Sequence, residues 1–142
     1  MYLVLKIMQL IVMLYAAYQD VKHKEISILS IVICALLSVA AVVISFITGE
    51  NIGESLIALL PGGLFLIISL VSRGGIGIGD GILLMGIGPA FGIWHVVIGT
   101  MVALGLSCLI SIFLLAFRKG TAKSTLPFIP FLTIGMGVIM FA

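Results

Sequence analysis

Aspartate is nearly missing from this chain: Asp20 and Asp80 are the only two, and Glu25, Glu50 and Glu54 complete its acids. Charge of either sign is scarce, at 8% of residues against 63% hydrophobic, and mean hydropathy is +1.45. With so little polar surface, 142 residues cannot coat a soluble globule. The composition predicts an integral membrane protein whose main surroundings are the lipid bilayer, and no nucleic-acid partner is expected. Cysteine is just as sparse. Cys34 and Cys108 both lie inside apolar runs, with no CxxC pair and no neighbouring His, so they read as buried small residues and not as a disulfide or a metal site.

What is present is a series of apolar runs divided by short polar turns. Residues 1–18 are apolar except for Lys6 and Gln9 and are about long enough to cross a bilayer. Lys22 and Lys24 follow this run, whereas a secretory signal peptide carries its positive charge in front, so it reads as a retained first span. Further spans are expected over 26–47, 55–71 (kinked at Pro61-Gly62-Gly63), 81–91, 96–117 and 126–142. Gly99, Ala103, Ser107 and Ser111 recur every fourth residue of the fifth span, a small-residue stripe suited to helix packing. Trp94 suits a membrane interface, which puts an outer turn near 89–95, and His95 reads as interfacial there rather than as a ligand. The expected fold is all-α: one membrane-embedded domain over 1–142, a polytopic protein of six transmembrane helices whose short fourth helix is preceded by a Gly-rich loop.

Basic residues separate cleanly between the loops. Lys22 and Lys24 fall in the first, Arg73 in the third, and Arg118, Lys119 and Lys123 in the fifth; the second carries only Glu50 and Glu54. The positive-inside rule then makes the odd loops cytoplasmic, leaves both termini outside and places both aspartates at the cytoplasmic side.

The stretch Gly74-Gly75-Ile76-Gly77-Ile78-Gly79-Asp80-Gly81 holds five glycines in eight residues and closes on one of the two aspartates. From Asp80 to the outer turn near Gly92 there are about twelve residues, roughly 18 Å of helix across a hydrocarbon core of about 30 Å. The loop therefore dips into the bilayer, where an ionisable residue marks a functional site. Asp20, at the end of the first span, lies close to the inner face. The two carboxyls can meet in a cavity open to the cytoplasm.

Blander readings exist for each feature alone. Asp80 would serve as a helix N-cap, Asp20 as a charged stop at the interface, and Gly75-x-x-x-Gly79 or Gly77-x-x-x-Gly81 as helix contacts. GxGxxG occurs in no register, which excludes a dinucleotide loop. None of these explains why the only two aspartates fall on one side. Two carboxyls close together in a partly desolvated site share one proton. One can then activate a water while the other donates to a substrate carbonyl, the aspartic protease arrangement. A small transporter or channel subunit, relaying protons or cations through the same acids, is the alternative from another class. It calls for acids spread through the membrane thickness or an inverted repeat, and neither is evident.

Gly77-Ile78-Gly79-Asp80, an Asp just after the first span, and Pro127-Phe128-Ile129-Pro130 at the last together resemble the type IV prepilin peptidases, intramembrane GxGD aspartic proteases. The resemblance spans essentially the whole chain. It implies catalytic roles for Asp20 and Asp80, and substrate-binding roles for Gly77, Gly79, Pro127, Phe128 and Pro130. It also implies cleavage of the short basic leader of prepilins or pseudopilins on the cytoplasmic side of the inner membrane, with no metal or organic cofactor. Where the family's first motif often continues Ile-Pro-Asn, this chain has Ile26-Ser27-Ile28, and Ile82 stands where a Lys is frequent. Larger members carry an N-methyltransferase domain for which this chain has no room, so a peptidase without methyltransferase activity is expected. A non-catalytic, pilin-binding member of the fold is the remaining alternative.

Overall fold

The computed structural model describes residues 2–23, 27–73, 77–117 and 128–141. All regular structure among them is helical: α1 (Tyr2–His23), α2 (Ile28–Thr48), α3 (Ile52–Ile57), α4 (Leu60–Val71), α5 (Ile78–Phe91), α6 (Ile93–Ala116) and α7 (Ile129–Phe141). Four stretches are long and apolar enough to span: Leu3–His23, Ile28–Thr48, Ile52–Val71 and Ile93–Ala116. The third is α3 followed by α4, interrupted just before Pro61, which sits in the first turn of α4 where its missing N–H costs nothing. This is the kink expected at Pro61. The short helices α5 and α7 complete six passes.

The bundle is inside out relative to a soluble protein. Large apolar side chains such as Ile28, Phe46, Val71 and Trp94 are more than 70% exposed, a surface suited to lipid. Small and weakly polar residues turn inward. On α2 the buried face is Ser30, Cys34, Leu37, Ser38, Ala41 and Ser45, spaced as one helical stripe. Of the stripe expected on α6, Gly99 and Ala103 are buried, and Gly135 of α7 packs against both. The other two, Ser107 and Ser111, are only half-buried. Cys34 is buried as expected, whereas Cys108 is exposed on the outer face of α6, correcting its reading as a core residue.

At the centre stands α5, buried at nine of its fourteen positions and packed against α4, α2, α6, α1 and α3. Its glycines allow this crowding. A Cβ on Gly81 would lie 3.0 Å from the Leu66 backbone, one on Gly86 would lie 2.9 Å from Cys34 Sγ, and one on Gly88 would strike the Ala58 carbonyl. The turn from α5 into α6 is a single residue, Gly92, at φ 85° and ψ 156°, a conformation essentially restricted to glycine. That turn is tighter than the 89–95 expected, because Pro89 is accommodated inside α5.

Pro89 cannot donate to the carbonyl one turn back, so the ladder of α5 is broken there. Beside the gap, the fully buried Gln9 of α1 donates from Nε2 to the Gly86 carbonyl at 2.8 Å. Its Oε1 has no partner among the described residues. Gln9→Met should therefore change stability by less than about 1 kcal/mol, since it removes a bond and an unpartnered acceptor together. Thermal unfolding in detergent checks this, and a loss of several kcal/mol would show that the amide holds a further group.

Candidate active site

Two contacts set α1 antiparallel to α5: the Gln9–Gly86 bond, and Lys6 Nζ at 5.9 Å from the Phe91 ring centroid. Measured from that second contact, Asp20 lies fourteen residues along α1, about 21 Å, and Asp80 eleven residues back along α5, about 17 Å. Both aspartates thus belong to one end of the bundle.

Asp20 is only 8% exposed. It points into the bundle rather than to the interface, and it does so in the last turn of α1, where a negative charge opposes the helix dipole. Lys22 in the same turn softens that cost. Its Oδ2 accepts the backbone N–H of Ile129 at 3.4 Å. Ile129 opens α7, so a helix N-terminus with its unpaired N–H groups faces the carboxylate. Gln19 ties the end of α1 to the start of α2: its Oε1 accepts from the Ser27 N–H at 3.2 Å and from Ser30 Oγ at 3.5 Å. Ser27 then caps α2, its Oγ accepting from the Leu29 N–H. The serine at this departure from the family pattern thus supplies an N–H that a proline lacks.

Asp80 is half-buried. The helix begins earlier than the motif implies: Gly77 is the N-cap, with φ −66° and ψ 130°, and Asp80 is the third residue of α5. It is therefore not a cap and not at the end of a loop, which corrects both expectations. A carboxylate in the first turn is favoured by the dipole. It folds back over Gly77, where a Cβ would come within 3.2 Å of Oδ2. Gly79, second in the helix, is half-buried. Ile82, replacing the frequent Lys, is likewise in α5 and half-buried. Residues 74–76 lie outside the described residues.

At the last motif, Phe128 stacks on Phe65 of α4, with ring centroids 5.3 Å apart and planes at 24°. Pro130 occupies the second position of α7, where the missing N–H is one the helix leaves unpaired in any case. Pro127 lies outside the described residues, as do Lys24, Arg118, Lys119 and Lys123. The expected residues that are described, Asp20, Asp80, Gly77, Gly79, Phe128 and Pro130, gather around the starts of α5 and α7. Sequence reasoning missed Ile129 N–H, Gln19 and Phe65. The Pro127-x-x-Pro130 spacing signals a helix start, but nothing in it signals that the start aims at Asp20. A cavity of about 430 Å³ opens at the opposite end, lined by Glu50, Glu54, Trp94 and His95 among others, and contains none of these residues. Among the described residues no three His, Cys, Asp or Glu side chains gather as a metal site.

Apolar helices presenting their large side chains outward make this a multi-pass membrane protein. Its two aspartates stand at one end, among the N-termini of two short helices. The chain belongs to the type IV leader peptidase family, which it matches over residues 7–141. No curated protein and no solved structure matches it. Membership makes it a type IV leader peptidase-like protease, with prepilins as its substrates in general.

Proposed function

We propose that the protein is an intramembrane aspartic endopeptidase that removes the basic leader of a type IV prepilin or pseudopilin, with Asp20 and Asp80 as the catalytic pair. The observation that carries this reading is the placement of the only two aspartates at one end of the bundle, Asp20 in the last turn of α1 and Asp80 in the first turn of α5, with Asp20 buried against the Ile129 N–H. Neighbouring carboxyls hold one proton between them. The ionised one removes a proton from water as the water oxygen bonds to the scissile carbonyl carbon. The protonated one gives its proton to the carbonyl oxygen. Collapse of the resulting diol breaks the C–N bond, delivers a proton to the leaving amine, and leaves a carboxyl on the leader and a free N-terminus on the pilin.

The scissile segment must be extended, because a helix hides its carbonyls. The extended backbone of Gly77, next to Asp80, suits pairing with such a segment, and Gly79, Pro127, Phe128 and Pro130 complete the substrate-binding surface of this reading. Lys22 and Arg73 at the aspartate end, against Glu50 and Glu54 at the other, support an active site facing the cytoplasm in the inner membrane, with both termini outside. The peptidase step alone is assigned to this chain.

The test is cleavage of a full-length prepilin by the purified protein in liposomes, with release of the leader expected. No cleavage of any precursor, accompanied by proton or cation flux, would replace this reading with transport. Gly77→Ala refines it. The backbone angles there suit alanine, so stability should move by less than about 1 kcal/mol. The added methyl pushes the Asp80 carboxyl aside, and cleavage should fall about tenfold. Unchanged kinetics would remove Gly77 from the site.

A further inference from the structure

We infer that Phe65 is a positioning residue that holds the support of Asp20 in register with the support of Asp80; this rests on the protease reading of the two aspartates. Most large side chains of α4 face outward: Leu64, Ile67, Ile68, Leu70 and Val71 are all exposed. Phe65 instead turns in, half-buried, and stacks on Phe128, sixty-three residues later in the chain. Phe128 accepts the Leu132 N–H at 3.0 Å, which makes its backbone part of the first turn of α7. The next residue, fully buried Ile129, carries the N–H that reaches Asp20. At 3.4 Å that bond is already long, so a small shift of the turn breaks it.

The other end of the strut is one residue along α4. The Leu66 backbone passes so close to Gly81 that a Cβ there would lie 3.0 Å away, and Gly81 adjoins Asp80. Residues 65 and 66 therefore touch both supports at once. Elsewhere α4 packs chiefly on α5, while α7 packs on α6 and α1. The Phe65–Phe128 stack is thus a direct tie between the half of the bundle that seats Asp80 and the half that seats Asp20. A flat stacked pair fixes distance and tilt, which a flexible aliphatic contact does not.

Two measurements test this. In liposomes, Phe65→Ala should lower kcat on a prepilin by about 10- to 100-fold while KM stays within about twofold, as expected for misplaced catalytic groups. Phe65→Tyr should restore the rate, and the Phe65→Ala/Phe128→Ala double variant should be no slower than the worse single one. Separately, in a chain with Cys108→Ala, cysteines placed by Asp20→Cys and Asp80→Cys should be joined readily by a short bifunctional thiol reagent, and adding Phe65→Leu, which keeps an apolar side chain, should slow that joining severalfold. Additive kinetic losses, or joining unaffected at position 65, would overturn the inference. If the native chain cleaves no leader, the protease reading fails by itself, and the thiol measurement still decides whether Phe65 sets the geometry.

Discussion

Asp20→Asn and Asp80→Asn are each expected to lower leader cleavage by about 1,000-fold or more, at the upper range for losing an acid or base that moves a proton in the transition state. The amide is nearly isosteric with the carboxyl, so the fold should survive, and an unchanged thermal midpoint serves as the control. The double variant should be no worse than either single one, because two groups that share one proton act as a unit. Cleavage of a prepilin in liposomes, with product resolved on a gel, makes the measurement. Substantial activity in either variant would mean that the surviving aspartate works without its partner, and the paired mechanism would fall. Inactivity of only one would assign the chemistry to that residue and a supporting role to the other.

The largest structural effect is expected at Gly62. A Cβ there would run into the Cα and N of Met85, backbone atoms of the central helix that cannot swing aside. Gly62→Ala should cost about 3 kcal/mol, on the order of 10 °C in the unfolding midpoint for a chain of this length. The adjacent Gly63 has nothing within 4 Å of the same added carbon. Gly63→Ala should therefore stabilise by up to about 1 kcal/mol through helix propensity alone. One chemical change at neighbouring positions is thus expected to carry opposite signs, and thermal unfolding in detergent reads both. Shifts of the same sign would show that α4 and α5 do not approach as closely as they do here. Because Asp80 lies on the helix that Gly62 presses against, Gly62→Ala should also depress cleavage.

Much of this molecule was legible because the bilayer leaves a sequence few choices. Spans must be apolar and about twenty residues long, and backbone groups inside lipid must pair within their own segment. That fixed the all-helical class, the six passes and the break beside Pro61, and made Asp20 and Asp80 conspicuous as the only two aspartates. The family motifs then attached a chemistry to them. Local boundaries were less legible. Gly79, Asp80 and Gly81 read as loop, yet they form the first turn of α5, because a glycine-rich segment becomes helical once packing against α4 outweighs its entropy. Cys108 read as core yet faces outward, since an apolar run does not reveal which side of its helix meets protein and which meets lipid.

By itself, then, the sequence determined what crosses the membrane, how many times, and which two residues could carry acid chemistry. Only the tertiary structure decided what surrounds them. The N–H of Ile129 on Asp20, Gln9 on Gly86, and Phe65 against Phe128 join residues 109, 77 and 63 positions apart. Such pairings depend on how helices are rotated and set against one another, and that rotation follows from close backbone contact at a few glycines rather than from hydrophobicity, which lipid satisfies as well as protein does.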